Sequence, residues 1–138
     1  MARLTTDGLS GIFEGLDSLA RFPSSVIDDM LNEQADILVT EQNKTGRSMG
    51  VHRTGVTLES IKKGKVKRYS DGNSVIYVTP EGENKDGNRN AEVAFVNEYG
   101  KIGRPPRPFI RTANENAAPK MTEAAQRILD DYVSSKNL

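Results

Sequence analysis

The side chains of this chain that could do chemistry are few and scattered. His52 is the only histidine and there is no cysteine. That removes thiolate nucleophiles, disulfides and thiolate zinc sites together. A metal would fall to carboxylates, and no Asp/Glu cluster has calcium-loop or paired-carboxylate spacing. His52 sits beside Arg53 in a Gly-rich stretch and reads as a solvated loop histidine. Glu98 next to Tyr99 has the elements of acid/base work. It has no second carboxylate or base nearby, so a salt bridge to a neighbouring arginine is the better reading. Nucleophile-elbow and phosphate-loop patterns are both missing. The expectation is a protein that is not an enzyme, with no metal, cofactor or small-molecule substrate.

Two basic groups remain. Lys62, Lys63, Lys65, Lys67 and Arg68 form a dense run. Such a run is usually a solvated or interface face, and lysines on an edge strand resist unwanted pairing. The alternative is a small DNA-binding module, with these residues on phosphates. No aromatics are interleaved for base stacking. Arg104, Arg107 and Arg111 flank a Pro-rich arm, with Tyr99 and Phe109 beside them. Arginine forks and aromatic rings are the usual anchors of protein interfaces. In the blander reading, Phe109 fills the protein's own core and the arginines are solvated.

The elements that must position these groups fit one domain, residues 1–138. Hydrophobic residues make up 36% of the chain, and 19 basic side chains balance 19 acidic ones. Global charge therefore points to neither nucleic acid nor a membrane surface. No apolar run approaches the ~20 residues of a membrane span, and the N-terminus lacks the apolar segment of a signal peptide. The chain is expected to be soluble and not exported.

Residues 1–9 are expected to be flexible, 10–15 extended, and 16–21 one or two helical turns ended by Phe22-Pro23. A helix is predicted over 25–44, with Ser25 and Asp28 as a capping box and Gly46 as its stop. Its apolar face would be Val26, Ile27, Met30, Leu31, Leu38 and Val39. Residues 57–63 suggest a short helical turn. Strands are predicted over 65–69 and 74–79 around an Asp71-Gly72-Asn73 hairpin turn. Val75 to Val78 reads as a central strand buried on both faces. Residues 80–90 form a polar, mobile, protruding loop, and 91–96 a third strand. Residues 100–108 form an extended arm stiffened by Pro105, Pro106 and Pro108. In the last helix Met121, Ala124, Ala125, Ile128, Leu129, Tyr132 and Val133 make one stripe. Pro119 leaves two starts open: near Asn116, or at Thr112 with a kink. We expect order over 117–135 and a looser turn before it. The class is α+β: a small antiparallel sheet of about three to four strands, a long helix before it and a C-terminal helix after it.

Two segments carry a resemblance. Phe95-Val96-Asn97-Glu98-Tyr99-Gly100, followed by Arg107-Pro108-Phe109-Ile110-Arg111-Thr112-Ala113, resembles the signature of the neck, head–tail joining or tail-completion proteins of long-tailed bacteriophages. Gly15-Leu16-Asp17 fits the same pattern. Thr54-Gly55 and Ser60-Ile61 match a further motif, with Leu58 one position late. The resemblance implies a structural virion protein of the neck or upper tail, formed in the host cytoplasm and assembled as a homo-oligomeric, hexameric ring. It implies a tail-tube or tail-terminator protein on one side and a head connector or stopper protein on the other, with DNA passing through the lumen. The site residues it points to are Glu98, Tyr99, Arg104, Arg107, Phe109 and Arg111.

Overall fold

The computed structural model describes residues 23–51 and 55–136. The expectations for residues 1–22 and for His52 lie outside the described residues. Helix α1 (Ser24–Ser48) follows Pro23, whose backbone is extended at φ −62° and ψ 136°. No side chain caps it, so the Ser25–Asp28 box does not form. Asp28 instead accepts a forked pair of bonds from Arg68, at 2.6 and 2.7 Å. Gly46 does not stop the helix either. It lies buried inside α1, against Leu58 and Phe109. The absence of a side chain there lets the core press directly onto helix backbone, and this packing overrides the weak helix propensity of glycine. The stop falls at Gly50 (φ +80°), where Val51 N–H reaches back to the Gly46 carbonyl at 2.7 Å.

A short helix α2 (Val56–Glu59) buries Leu58 completely. Next come two ladders: β1 (Ile61–Lys63) antiparallel to β4 (Val78–Pro80), and β2 (Lys67–Arg68) antiparallel to β3 (Ser74–Val75). In the first ladder Ile61 faces Pro80 and Lys63 faces Val78, and Gly64 N–H extends it to the Tyr77 carbonyl at 2.7 Å. In the second, Lys67 faces Val75. Three steps on one strand thus oppose two on the other, which is a one-residue bulge near Lys65-Val66. The expected single sheet of three to four strands is therefore one bulged hairpin, split into two two-stranded ladders. The Asp71-Gly72-Asn73 turn is present, with Asn73 N–H and Nδ2 donating to the Asp71 carboxylate at 2.9 Å. The segment Val75–Val78 is not a doubly buried central strand: it joins the end of β3 to the start of β4, each of which has a single partner strand, and Tyr77 is about half exposed.

The expected third strand, 91–96, is helix α3 (Asn90–Tyr99). A short apolar run does not separate a strand from a helix by period alone. Here Ala91, Glu92, Ala94 and Glu98 favour the helix, and Asn90 and Ala94 are buried one turn apart. Between β4 and α3 the polar loop is largely exposed and carries its own bonds. Asn84 Oδ1 accepts from Asp86 and Asn88 N–H, each at 3.0 Å, and Asn90 Nδ2 donates to the Glu81 carbonyl at 2.8 Å.

Helix α4 (Phe109–Ser135) begins eight residues before the expected 117 and runs through Pro119. The proline and its turn face outward, so the carbonyl it leaves without an N–H partner can meet water. Ala113, Ala117, Ala124 and Ala125 are buried, while Ile128, Leu129, Tyr132 and Val133 are half-buried, as the stripe predicts. Helices α1 and α4 lie antiparallel. Gln42 Nε2 donates to Asn114 Oδ1 at 3.1 Å, and Gln34 Nε2 to the Met121 carbonyl at 3.2 Å. On α1 the buried positions are Ala35, Glu41, Gln42, Thr45 and Gly46, so small and polar residues line the seam and the aliphatic face is only half-buried. The core proper is Val51, Leu58, Ile61, Ala94 and Phe109, with Val39, Met49, Val78 and Ile110 packed on it.

A Cβ at position 46 would clash with Leu58 Cδ2 and lie 3.2 Å from Phe109 Cδ2. Both side chains are fully buried and have no free space to retreat into. Gly46→Val is therefore expected to destabilise the fold by about 2–3 kcal/mol despite its better helix propensity, read as a lower urea midpoint at unchanged m-value.

Candidate functional site

The two segments that carry the motif meet at one corner. Helix α3 closes with Gly100 N–H on the Val96 carbonyl at 2.8 Å. Gly100 takes φ +77°, and a Cβ there would lie 2.8 Å from both Arg104 O and Pro106 N, so only glycine fits. A tight turn follows, held by reciprocal backbone bonds between Lys101 and Arg104 at 3.0 and 2.9 Å. The arm then returns along α3, where Arg107 N–H bonds the Asn97 carbonyl. Pro105, Pro106 and Pro108 bring no N–H groups that would need partners.

Glu98 joins the two segments. Its carboxylate accepts from Ile110 N–H at 2.8 Å and Arg111 N–H at 3.0 Å. These are first-turn donors of α4, whose own N-cap, Pro108, offers no side-chain bond. The expected salt bridge from Glu98 to an arginine is thus replaced by a cap supplied from another helix, and the Arg111 group it meets is the backbone amide. A carboxylate suits this place because the helix dipole puts partial positive charge there.

The other predicted site residues divide. Phe109 is fully buried in the core and is no surface anchor. Arg107 Nη1 donates to the Gly50 carbonyl at 2.9 Å, tying the arm to the end of α1. Tyr99, Arg104 and Arg111 are exposed. Sequence reasoning missed Phe95 and Ile102. Phe95 is 62% exposed and Tyr99 69%, with ring centroids 4.7 Å apart, and Ile102 at the turn tip is fully exposed. The signal for Phe95 was its spacing of four from Tyr99, a helical neighbour relation. Beside Phe95 and Tyr99 an open groove of about 630 Å3 has Ala91, Ala94, Phe95, Pro106, Pro108 and Ile110 among its apolar lining residues.

The basic run lies elsewhere, on the hairpin. Arg68 is paired with Asp28, and Lys63 with Asp36 at 2.9 Å, so both fasten the hairpin to α1. Lys67 sits 5.4 Å from the Tyr77 ring centroid. Lys62 and Lys65 are exposed and have no ion partner among the described residues. Tyr69 and Tyr77 share a 3.2 Å hydroxyl contact, and that bond raises the Tyr69 pKa. Among the described residues no group of three or more His, Cys, Asp or Glu is arranged to hold a metal ion, and no helix is long and apolar enough to cross a membrane.

No family model, curated protein or solved structure matches this chain.

Removing the carboxylate cap exposes its role. Glu98→Ala is expected to lose about 1–2 kcal/mol of stability. Hydrogen exchange at the Ile110 and Arg111 amides should speed up in that variant before exchange elsewhere in α4. Glu98→Gln retains an acceptor oxygen and should recover part of the loss. Equal exchange at those amides in all three proteins would count against the cap.

Proposed function

We propose that this chain is a structural virion protein of the neck or upper tail of a long-tailed phage. Its role is to complete the tail and join it to the head connector through a ring of copies. The reading begins with the resemblance in the 95–100 and 107–113 segments. The observation that carries it further is that these segments form one corner on which the Phe95 and Tyr99 rings stand exposed and paired, with Ile102 exposed at the tip of the turn that follows. Exposed apolar side chains gathered at one place mark protein–protein contact. A Pro-locked arm clamped at Asn97 and Gly50 gives that contact a fixed orientation, with little ordering cost on docking. A tail-tube or tail-terminator protein and a head connector or stopper protein are the proposed partners, with DNA in the lumen.

The DNA-module alternative draws less support. Two of its five basic side chains already neutralise carboxylates of α1.

The test is assembly in the phage that encodes the chain. Without the chain, or with Phe95→Asp and Tyr99→Asp together, lysates should contain filled heads and unjoined tails, or tails of wrong length. Both side chains are more than half exposed, so the double variant should keep its melting temperature within a few degrees. Intact infectious particles without the chain would refute the reading. Steeply salt-dependent binding of the isolated protein to duplex DNA would favour the alternative instead.

A further inference from the structure

Ile102, at the tip of the turn after α3, has no packing partner among the described residues. Ile102 is fully exposed at 103% of its reference area, on a turn made rigid by the Lys101–Arg104 bonds. Lys101 and Arg104 flank it, and neither has an ion partner among the described residues. An isoleucine held out in this way gains nothing for the folded chain, since its transfer from water is worth about 1.5–3 kcal/mol only when it is covered. Close by, the α3–α4 groove is open, lined mainly by apolar residues, and does not include Ile102 in its lining. Its charged residues are Glu98 and Glu115 against Arg111. Glu98 is held by the α4 amides, and Glu115 has no ion partner among the described residues. The tip is therefore apolar between two cations, and the groove is apolar with an excess of carboxylate.

We propose that the Ile102 tip of one copy seats in the α3–α4 groove of a second copy, with Lys101 and Arg104 directed at Glu115 and Glu98. The proposal rests on the neck reading for its setting, while the contact itself is argued from tip and groove. The contact is set head-to-tail, the tip of each copy in the groove of the next; a reciprocal two-fold exchange of tips would stop at a dimer. Each copy gives a tip and receives one, and such contacts close into a ring or run on as a filament. A tip in a groove covers less than the ~1,200 Å2 of a standard stable interface. A single pair is consequently weak, and closure, which gives every copy two contacts, favours the complete ring.

The lack of native cysteine makes the contact directly testable. Ile102→Cys and Ala91→Cys each place one thiol, at the tip and in the groove. Mixed under mild oxidation, the two variants should cross-link roughly tenfold more than a control pair of Ile102→Cys with Asp71→Cys. A chain carrying both Ile102→Cys and Ala91→Cys should give a ladder of oligomers. Ile102→Asp, at a fully exposed site, should abolish concentration-dependent association in sedimentation at an unchanged melting temperature. Cross-linking no stronger than the control, or Ile102→Cys pairing mainly with itself, overturns the proposal, the latter because it reveals a two-fold contact. Failure here is separable from failure of the neck reading. Without the cross-link, chains that still join heads to tails overturn this contact alone. Ladders from a chain whose absence leaves particles intact support the contact and overturn the neck setting.

Discussion

A carboxylate at the wrong end of its own helix holds this structure together. Glu98 lies in the last turn of α3, where the helix dipole disfavours negative charge. It is stabilised there by two amides at the start of α4. Helix α4 in turn begins behind a proline that supplies no cap, and it carries Pro119 in its interior. Each helix makes up what the other lacks. The exchange fixes the angle between them, and that angle decides which side of the Phe109–Arg111 turn faces inward.

The consequence is large because the core is small. Phe109 and Leu58 are the largest fully buried side chains, and both press on the backbone of α1 at Gly46. A shift of α4 by part of a turn would draw Phe109 out of that place. The long seam between α1 and α4 resists such a shift by polar pairing. Gln42 meets Asn114, and the buried Glu41 meets Lys120 at 3.2 Å. Alanines on both helices would slide past one another at little cost, whereas a buried amide or carboxylate out of register loses its partner and bears its full desolvation.

The same constraint explains the outer surface. With Phe109 inside, Gly100 turning the chain and Arg107 holding the end of α1, the arm has few ways to move. The hydrophobic residues left over, Phe95, Tyr99 and Ile102, are displayed on a stiff frame and are not free to fold back. Surface ion pairs such as Lys63–Asp36 are worth at most about 1 kcal/mol each, and they orient the hairpin more than they stabilise it.

Much of this was legible in local sequence. The long first helix, the Asp71-Gly72-Asn73 turn, the stripe from Met121 to Val133 and the Pro-rich arm each follow from short-range rules: period, turn chemistry and fixed φ. Only the tertiary structure decided that Ala91–Val96 is helical, that Gly46 lies within α1, that α4 starts at Phe109, and that Glu98 is a cap. Each of these outcomes depends on a partner far along the chain. Glycine at position 46 is a helix stop until Leu58 and Phe109 need the space beside it. Glu98 is one more acidic residue until the Ile110 and Arg111 amides come within hydrogen-bond reach. Period and propensity describe a segment in isolation, and the free energy that overrides them comes from contacts no local window contains.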